Sequence, residues 1–138
     1  MSEASLTAAD VGSTVTFSFD SRRTNLDTDN ASANAYIKVL ETTSWSEVSV
    51  VESDAASFGT DWSSQSISLE VTSAMVNGLL QIGFTDRASS DGTQAGTAST
   101  GVNYDNLVVE QVAAVPVPAA AWLFGSALAG LVAARRRK

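Results

Sequence analysis

The chain has 138 residues, enough for one folded domain and a short tail, and its formal net charge is −7. It contains no His and no Cys, which excludes disulfides, thiol and Ser-His-Asp nucleophiles, and most zinc and copper sites. Residues 1–112 contain four basic and 15 acidic residues and carry −11, because the other four basic residues end the chain. This acidity disfavours a nucleic-acid partner, since phosphate binding needs cations.

The first part of the chain predicts strands separated by polar turns. Met1–Ser5 has neither a basic nor an apolar segment, so it is not a signal peptide. Leu6–Asp10 predicts one helical turn. Alternating apolar residues predict strands at Thr14–Asp20 and Ala35–Leu40. The apolar face of the first strand consists of Val15, Phe17 and Phe19.

The same pattern continues to residue 111. Further strands are predicted at Glu47–Val51, Ser66–Val71, Leu79–Thr85 and Val102–Glu110. Ser73–Asn77 predicts one helical turn. Six strands at this spacing, with no long helix, predict an all-β fold in which residues 1–111 form an antiparallel sandwich.

The C-terminal residues have a different composition. Residues 112–118 form a proline-bearing linker, and the uncharged stretch 119–134 would measure about 24 Å as a helix. That length is slightly short of a hydrocarbon core of about 30 Å. The basic end resists translocation and is expected to stay cytoplasmic; it consists of Arg135, Arg136, Arg137 and Lys138. The tail therefore predicts a transmembrane helix, with a buried helix of a soluble domain as the alternative.

This tail resembles the PEP-CTERM class of sorting signals, most closely the VPLPA variant. The resemblance rests on the run Ala-Ala-Trp-Leu-Phe-Gly-Ser at 120–126, the basic end, and the motif Val115, Pro116, Val117, Pro118 and Ala119. Val117 departs from the variant, in which Leu is usual. The resemblance implies that an exosortase, an integral-membrane cysteine transpeptidase of Gram-negative bacteria that make extracellular polysaccharide, recognises and removes the tail. The alternative is a permanent anchor.

The body resembles the galactose-binding-like jelly rolls, which include many carbohydrate-binding modules. The matching stretches are Leu6–Asp20, Ala35–Leu40, Trp62–Val71 and Val102–Leu107, the last with a Tyr-Asp-Asn-hydrophobic motif typical of the final strand. The resemblance implies a jelly-roll-like sandwich. One or two strands usually precede the segment that matches Leu6, so the chain is expected to be truncated at its N-terminus.

Asp105 is the candidate metal ligand. In similar jelly rolls an Asp at this motif often binds a structural calcium together with backbone oxygens of the N-terminal region, and calcium takes six to eight oxygens. The alternative is an Asp that caps a loop or pairs across strands. Asp27–Asn30 lacks the Gly and the distal Glu of an EF-hand loop and predicts a solvated turn.

Two tryptophans are candidate sugar contacts, because an aromatic face stacks on the apolar face of a pyranose. Trp45 has polar neighbours, is expected to be exposed, and is the first candidate. Trp62 directly precedes a strand and is expected in the core. Four glutamates could in principle supply a glycosidase pair, but nothing places two at a suitable separation, so surface positions are expected for Glu41, Glu47, Glu52 and Glu70.

Together these patterns predict an exported, non-catalytic surface or extracellular-matrix protein with a structural or adhesive role. It would be anchored in the inner membrane before processing, and would then lie at the cell surface or outside the cell. The alternatives are a carbohydrate-binding module and the accessory domain of a truncated secreted hydrolase. The expected partners are the membrane, the exosortase and polysaccharide, and the one candidate cofactor is structural calcium at Asp105.

Overall fold

The computed structural model describes residues 2–26, 31–54, 57–88 and 100–114. Seven strands lie in these ranges: β1 (Ser2–Ser5), β2 (Thr14–Leu26), β3 (Ala31–Leu40), β4 (Glu47–Glu52), β5 (Ser63–Glu70), β6 (Leu79–Ala88) and β7 (Thr100–Val112). The predicted single helical turns are the 3-10 helices Ala8–Asp10 and Ser73–Met75. The described part of the chain has no α-helix.

The strands form two sheets, in which every neighbouring pair is antiparallel. One sheet has the order β1-β6-β3-β4 and the other has the order β5-β2-β7. The predicted all-β antiparallel fold is therefore confirmed at this level. The C-terminal helix predicted at 119–134 lies outside the described residues. Within the described ranges, no helix has the length and apolar character that a membrane crossing requires.

Several strands are longer than apolar alternation predicts. β2 continues to Leu26, because it pairs with β7 along almost its whole length, from Thr14↔Val112 to Leu26↔Thr100. β1 was not predicted, since Ser2–Ser5 has no apolar alternation, and it forms by pairing with the start of β6. Backbone hydrogen bonding thus extends the sheets beyond the segments whose side chains are apolar.

The core lies between the two sheets and is rich in aromatic rings. β2 turns its predicted apolar face inward, and Phe19 is only 2% exposed. The Phe19 ring centroid lies 5.1 to 6.1 Å from four other ring centroids. These rings belong to Phe17, Phe58, Phe84 and Tyr104. The buried aliphatic residues include Val15, Ile37, Val39, Leu69, Val71, Leu80 and Ile82.

Residues 6–13, 41–46, 71–78 and 112–114 lie at one end of the sandwich, which we call the exit end. The N–H of Leu6 donates to the carbonyl oxygen of Gly78 at 3.0 Å, and the N–H of Gly12 donates to that of Val71 at 2.8 Å. A Cβ on Gly78 would lie 2.6 Å from Val39 Cγ1, so this close approach to β3 requires glycine. β7 and the last described residues end here.

Candidate functional site

The loop between β3 and β4, residues 41–46, is closely hydrogen-bonded. The N–H of Glu41 donates to the Ser46 carbonyl oxygen at 2.8 Å, and the N–H of Trp45 donates to the Glu41 carbonyl oxygen at 2.9 Å. The Glu41 carboxylate accepts from the N–H groups of Thr43 at 3.0 Å and Ser44 at 2.5 Å. The hydroxyls of Ser44 and Ser46 lie 2.7 Å apart. The polar groups of the loop therefore hold its shape.

Trp45 is the residue that this loop presents to solvent. Its side chain is 62% exposed, which confirms the predicted exposure. Its φ is 58°, in the left-handed region that bulky residues seldom adopt. Such a conformation costs on the order of 1–3 kcal/mol and persists only where its surroundings enforce it. An exposed indole on a backbone held in this way is preorganised for stacking, since little loop ordering remains when a ligand binds.

The Glu41 carboxylate stabilises the conformation of this loop. Hydrogen bonds from Ser44, and then from Thr43, hold the pKa of the Glu41 carboxyl down to about 2, because they favour its ionised form. Because this pKa is depressed in the folded state, Glu41 stabilises the fold above its ordinary pKa of 4.5. The stabilisation is lost as the pH falls from there through the folded pKa. The carboxylate is thus charged at neutral pH, with its oxygens engaged within the loop.

Trp62 is not in the core, and its predicted burial is wrong. Its side chain is 47% exposed, and the guanidinium carbon of Arg22 lies 5.1 Å from its ring centroid. The core position before β5 belongs to Phe58, which is 2% exposed. The Phe58 ring meets those of Phe19 and Tyr104 edge-on, at 6.1 and 6.4 Å between centroids. Phe58 was not predicted as a core residue, because both aromatics precede the same strand and periodicity does not distinguish them.

Trp45 and Trp62 lie at opposite ends of the sandwich. Trp45 belongs to the exit end, because its loop follows the end of β3 at Leu40. Trp62 precedes Ser63, which pairs with Ser21 far along β2 from its start at the exit end. One compact sugar site therefore cannot use both rings. At the exit end, Trp45 is the one exposed aromatic residue among those described.

Asp105 lies opposite Asp20 in the ladder between β2 and β7. Asp20 Oδ1 accepts from the Ser64 hydroxyl and Asp20 Oδ2 from the Asn106 amide, both at 2.6 Å. The N–H of Asn106 donates to Asp105 Oδ1 at 2.8 Å. The bond from Ser64, and then that from Asn106, lowers the pKa of Asp20. The fold thus links Asp105 to residues of β2 and β5 that the sequence analysis did not connect with it.

This cluster does not fit a calcium ion well. Calcium takes six to eight oxygens, whereas the carboxylates here are those of Asp20 and Asp105, and both Asp20 oxygens already accept short hydrogen bonds. Among the described residues, no group of three or more Asp, Glu, His or Cys side chains could hold a metal ion. The calcium site at Asp105 stays a prediction from the resemblance. The predicted turn at Asp27–Asn30 lies outside the described residues.

The end of β7 is fixed by a network of polar side chains that was not predicted from the sequence. Gln111 Nε2 donates to Asp10 Oδ1 and to the Ser13 hydroxyl, each at 2.9 Å. Asp10 Oδ2 accepts from the N–H of Thr7 at 2.7 Å and from its hydroxyl at 2.6 Å. These bonds, those from Thr7 first, lower the pKa of Asp10. The Thr-x-x-Asp spacing is a helix-start signal, but it does not reveal Gln111, 101 residues away.

The network lies directly before the tail. Ala114 is the last described residue, and its Cβ would lie 3.1 Å from a Cβ placed on Gly12. The residues predicted for sorting and for stopping translocation, Val115, Pro116, Val117, Pro118, Ala119, Arg135, Arg136, Arg137 and Lys138, lie outside the described residues. Comparison of the chain with protein-family models, with curated proteins and with solved structures finds no match in any of the three.

Proposed function

We propose that this chain is an exported, non-catalytic protein of the cell surface or extracellular matrix, and that an exosortase recognises and removes its C-terminal tail. The observation that carries the proposal is the order of motif, apolar stretch and basic block at residues 115–138. This order suits a membrane-inserted segment whose end stays in the cytoplasm. The fold supports the proposal, because β7 ends at Val112, just before the motif.

The contact of Gln111 with Asp10 also supports removal of the tail. It joins the last strand to the start of the chain, on the sandwich side of the motif. Cutting after residue 114 would therefore leave the core and this network intact. The mature protein would be the sandwich alone, with a structural or adhesive role outside the inner membrane.

The jelly-roll class is part of the same proposal. A jelly roll has eight strands in two sheets. Here a four-stranded sheet faces a three-stranded one, and every connection except β3 to β4 crosses from one sheet to the other. This alternation supports a jelly roll, with seven of its strands among the described residues.

The proposal is tested by adding the same cleavable secretion signal to the full chain and to residues 1–114. In a host with the matching exosortase, we expect the full chain first in the inner membrane and then, shortened at its C-terminus, at the surface or outside. In a host without that enzyme it should stay full-length in the membrane. Residues 1–114 should never enter the membrane fraction. Fractionation, immunoblotting and intact mass measure these outcomes, and a full chain that is soluble without detergent and uncut would contradict the proposal.

A second function, contact with polysaccharide through Trp45, is favoured by the exposed indole on its closely hydrogen-bonded loop. The hydroxyls of Ser44 and Ser46 lie in the same loop and can form hydrogen bonds with the hydroxyls of a sugar. The acidic charge of residues 1–112 favours a neutral polysaccharide over an acidic one. A single stacked ring offers few atoms over which affinity can accumulate, so the binding would be weak.

Removing the Trp45 ring is expected to abolish retention on a neutral polysaccharide in affinity electrophoresis. Two variants should be compared, Trp45→Ala and Trp45→Asn, because Asn tolerates the left-handed backbone and keeps the loop in place. The matched control is Trp62→Ala, which removes an exposed indole at the opposite end of the sandwich and should leave retention unchanged. Circular dichroism checks that all three are folded. Unchanged retention of Trp45→Asn, or no retention of the unaltered chain, would exclude this function.

A further inference from the structure

Among the described strands, one edge of β7 has no partner, and a run of apolar residues lies along it. β7 is an edge strand of its sheet, and among the described strands its partner is β2. Leu107, Val108 and Val109 are 55%, 48% and 49% exposed. Val109 pairs with the buried Phe17, so its side chain is on the inner face of the sheet and is still half exposed. An apolar edge with unpaired backbone groups is a template for another strand.

The chain itself restricts which strand fits this edge. The segment directly after β7 contains Pro116 and Pro118, which have no N–H to donate to a ladder. A second copy of β7 can pair with this edge antiparallel about a two-fold axis, which places residue i opposite j and residue j opposite i. Such pairing joins two three-stranded sheets into a continuous sheet of six strands.

We propose that two copies of this chain associate through their β7 strands, paired antiparallel about a two-fold axis at Val108. On the outer face, Val108 then lies opposite the partner's Val108. On the inner face, Leu107 lies opposite the partner's Val109. Directly opposed side chains contact each other across a ladder, so the pairing covers part of the three apolar side chains at this edge.

Neighbouring registers are less favourable. An axis at Glu110 places two carboxylates directly opposite each other, which is destabilising. An axis at Val109 places Val108 opposite the partner's Glu110, and an axis at Leu107 places Val109 opposite the partner's Asp105. The axis at Val108 places neither two carboxylates nor an apolar and an acidic residue directly opposite each other.

The association is expected to be weak and dependent on salt. Asn106 has a φ of 52°, and the pairing with β2 shifts register there, so a bulge limits the regular ladder. A ladder of about five residues is a small interface of the transient kind. Each copy also carries −7, so salt should strengthen the dimer by screening the repulsion between copies.

The proposed axis can be tested by cross-linking, because the chain has no cysteine of its own. Val108→Cys in the full chain, kept in mild detergent, should form a disulfide-linked dimer under mild oxidation, and more of it at high salt. The control is Val48→Cys, on β4 at the edge of the other sheet and similarly exposed at 39%, which should stay monomeric. Equal cross-linking of both variants, as association through the tails would give, or none at position 108, overturns the proposal.

A charge-exchange experiment tests the same axis without a covalent bond. The full chains Val108→Lys and Val108→Glu should each be monomeric, because like charges then oppose each other across the axis. Their mixture should form mixed dimers, since a Lys then faces a Glu. Native mass spectrometry from detergent distinguishes these species, and circular dichroism checks that each variant is folded. A mixture that stays monomeric while the unaltered chain dimerises would overturn the axis at Val108, as would an unaltered chain that is monomeric at high salt.

The proposed association is independent of tail removal and of sugar binding, because it depends on the exposure of β7, on its pairing with β2 alone among the described strands, and on the order of apolar and acidic residues along it.

Discussion

Replacing both Pro116 and Pro118 by Ala is expected to leave the chain uncut in the inner membrane of a host with the matching exosortase. Each proline restricts φ to near −65°, so the motif is predicted to be extended. Alanine is the strongest helix former, so the variant segment would tend to continue the apolar helix predicted at 119–134. Immunoblots of membrane and surface fractions, with intact mass, should show complete loss of the shortened form.

A matched control separates the prolines from the rest of the motif. Val117→Leu introduces the residue that is usual in the VPLPA variant and keeps both prolines, so it should mature as the unaltered chain does. If the double alanine variant is shortened at the same rate as the unaltered chain, the prolines have no role in recognition and the assignment of this motif is wrong.

Phe19→Ala is expected to lower the free energy of unfolding by about 3–5 kcal/mol, the usual cost of deleting a buried aromatic side chain. The ring is 2% exposed and contacts rings from both sheets, so its loss opens a cavity in the centre of the core. The whole stability of a domain is about 5–15 kcal/mol. Urea denaturation of residues 1–114, followed by far-ultraviolet circular dichroism, should show a much lower midpoint or no folded baseline.

The control for this effect is Trp62→Ala, which removes a larger ring from the surface. The main described contact of Trp62 is with Arg22, and a cation–π interaction at an exposed site contributes about 0.5–1 kcal/mol. We therefore expect a small shift of the denaturation midpoint with an unchanged slope. Comparable losses in the two variants would mean that Trp62, and not only Phe19, is part of the core.

Much of the fold was predictable because it depends on local periodicity. The alternation around Phe17 determines which face of β2 is apolar, and the same holds for β3 at Ile37. Turn-rich segments between such runs indicate where strands end. The sequence also determined the exposure of Trp45, because the surrounding serines and glutamates leave no apolar surface for it to join.

The tertiary structure alone decided which strands are neighbours and how far they extend. Periodicity reports which face of a strand is apolar, but it carries no information on the strand that lies beside it. The side chain of Asn106 is hydrogen-bonded to Asp20, 86 positions away in the sequence, and that of Gln111 to Asp10, 101 positions away. No pattern in the neighbouring residues indicates either contact. Phe58 is buried and Trp62 exposed for the same reason, because the packing of two sheets selects the ring that fits between them. The open edge of β7 likewise follows from sheet order, which depends on contacts distant in sequence.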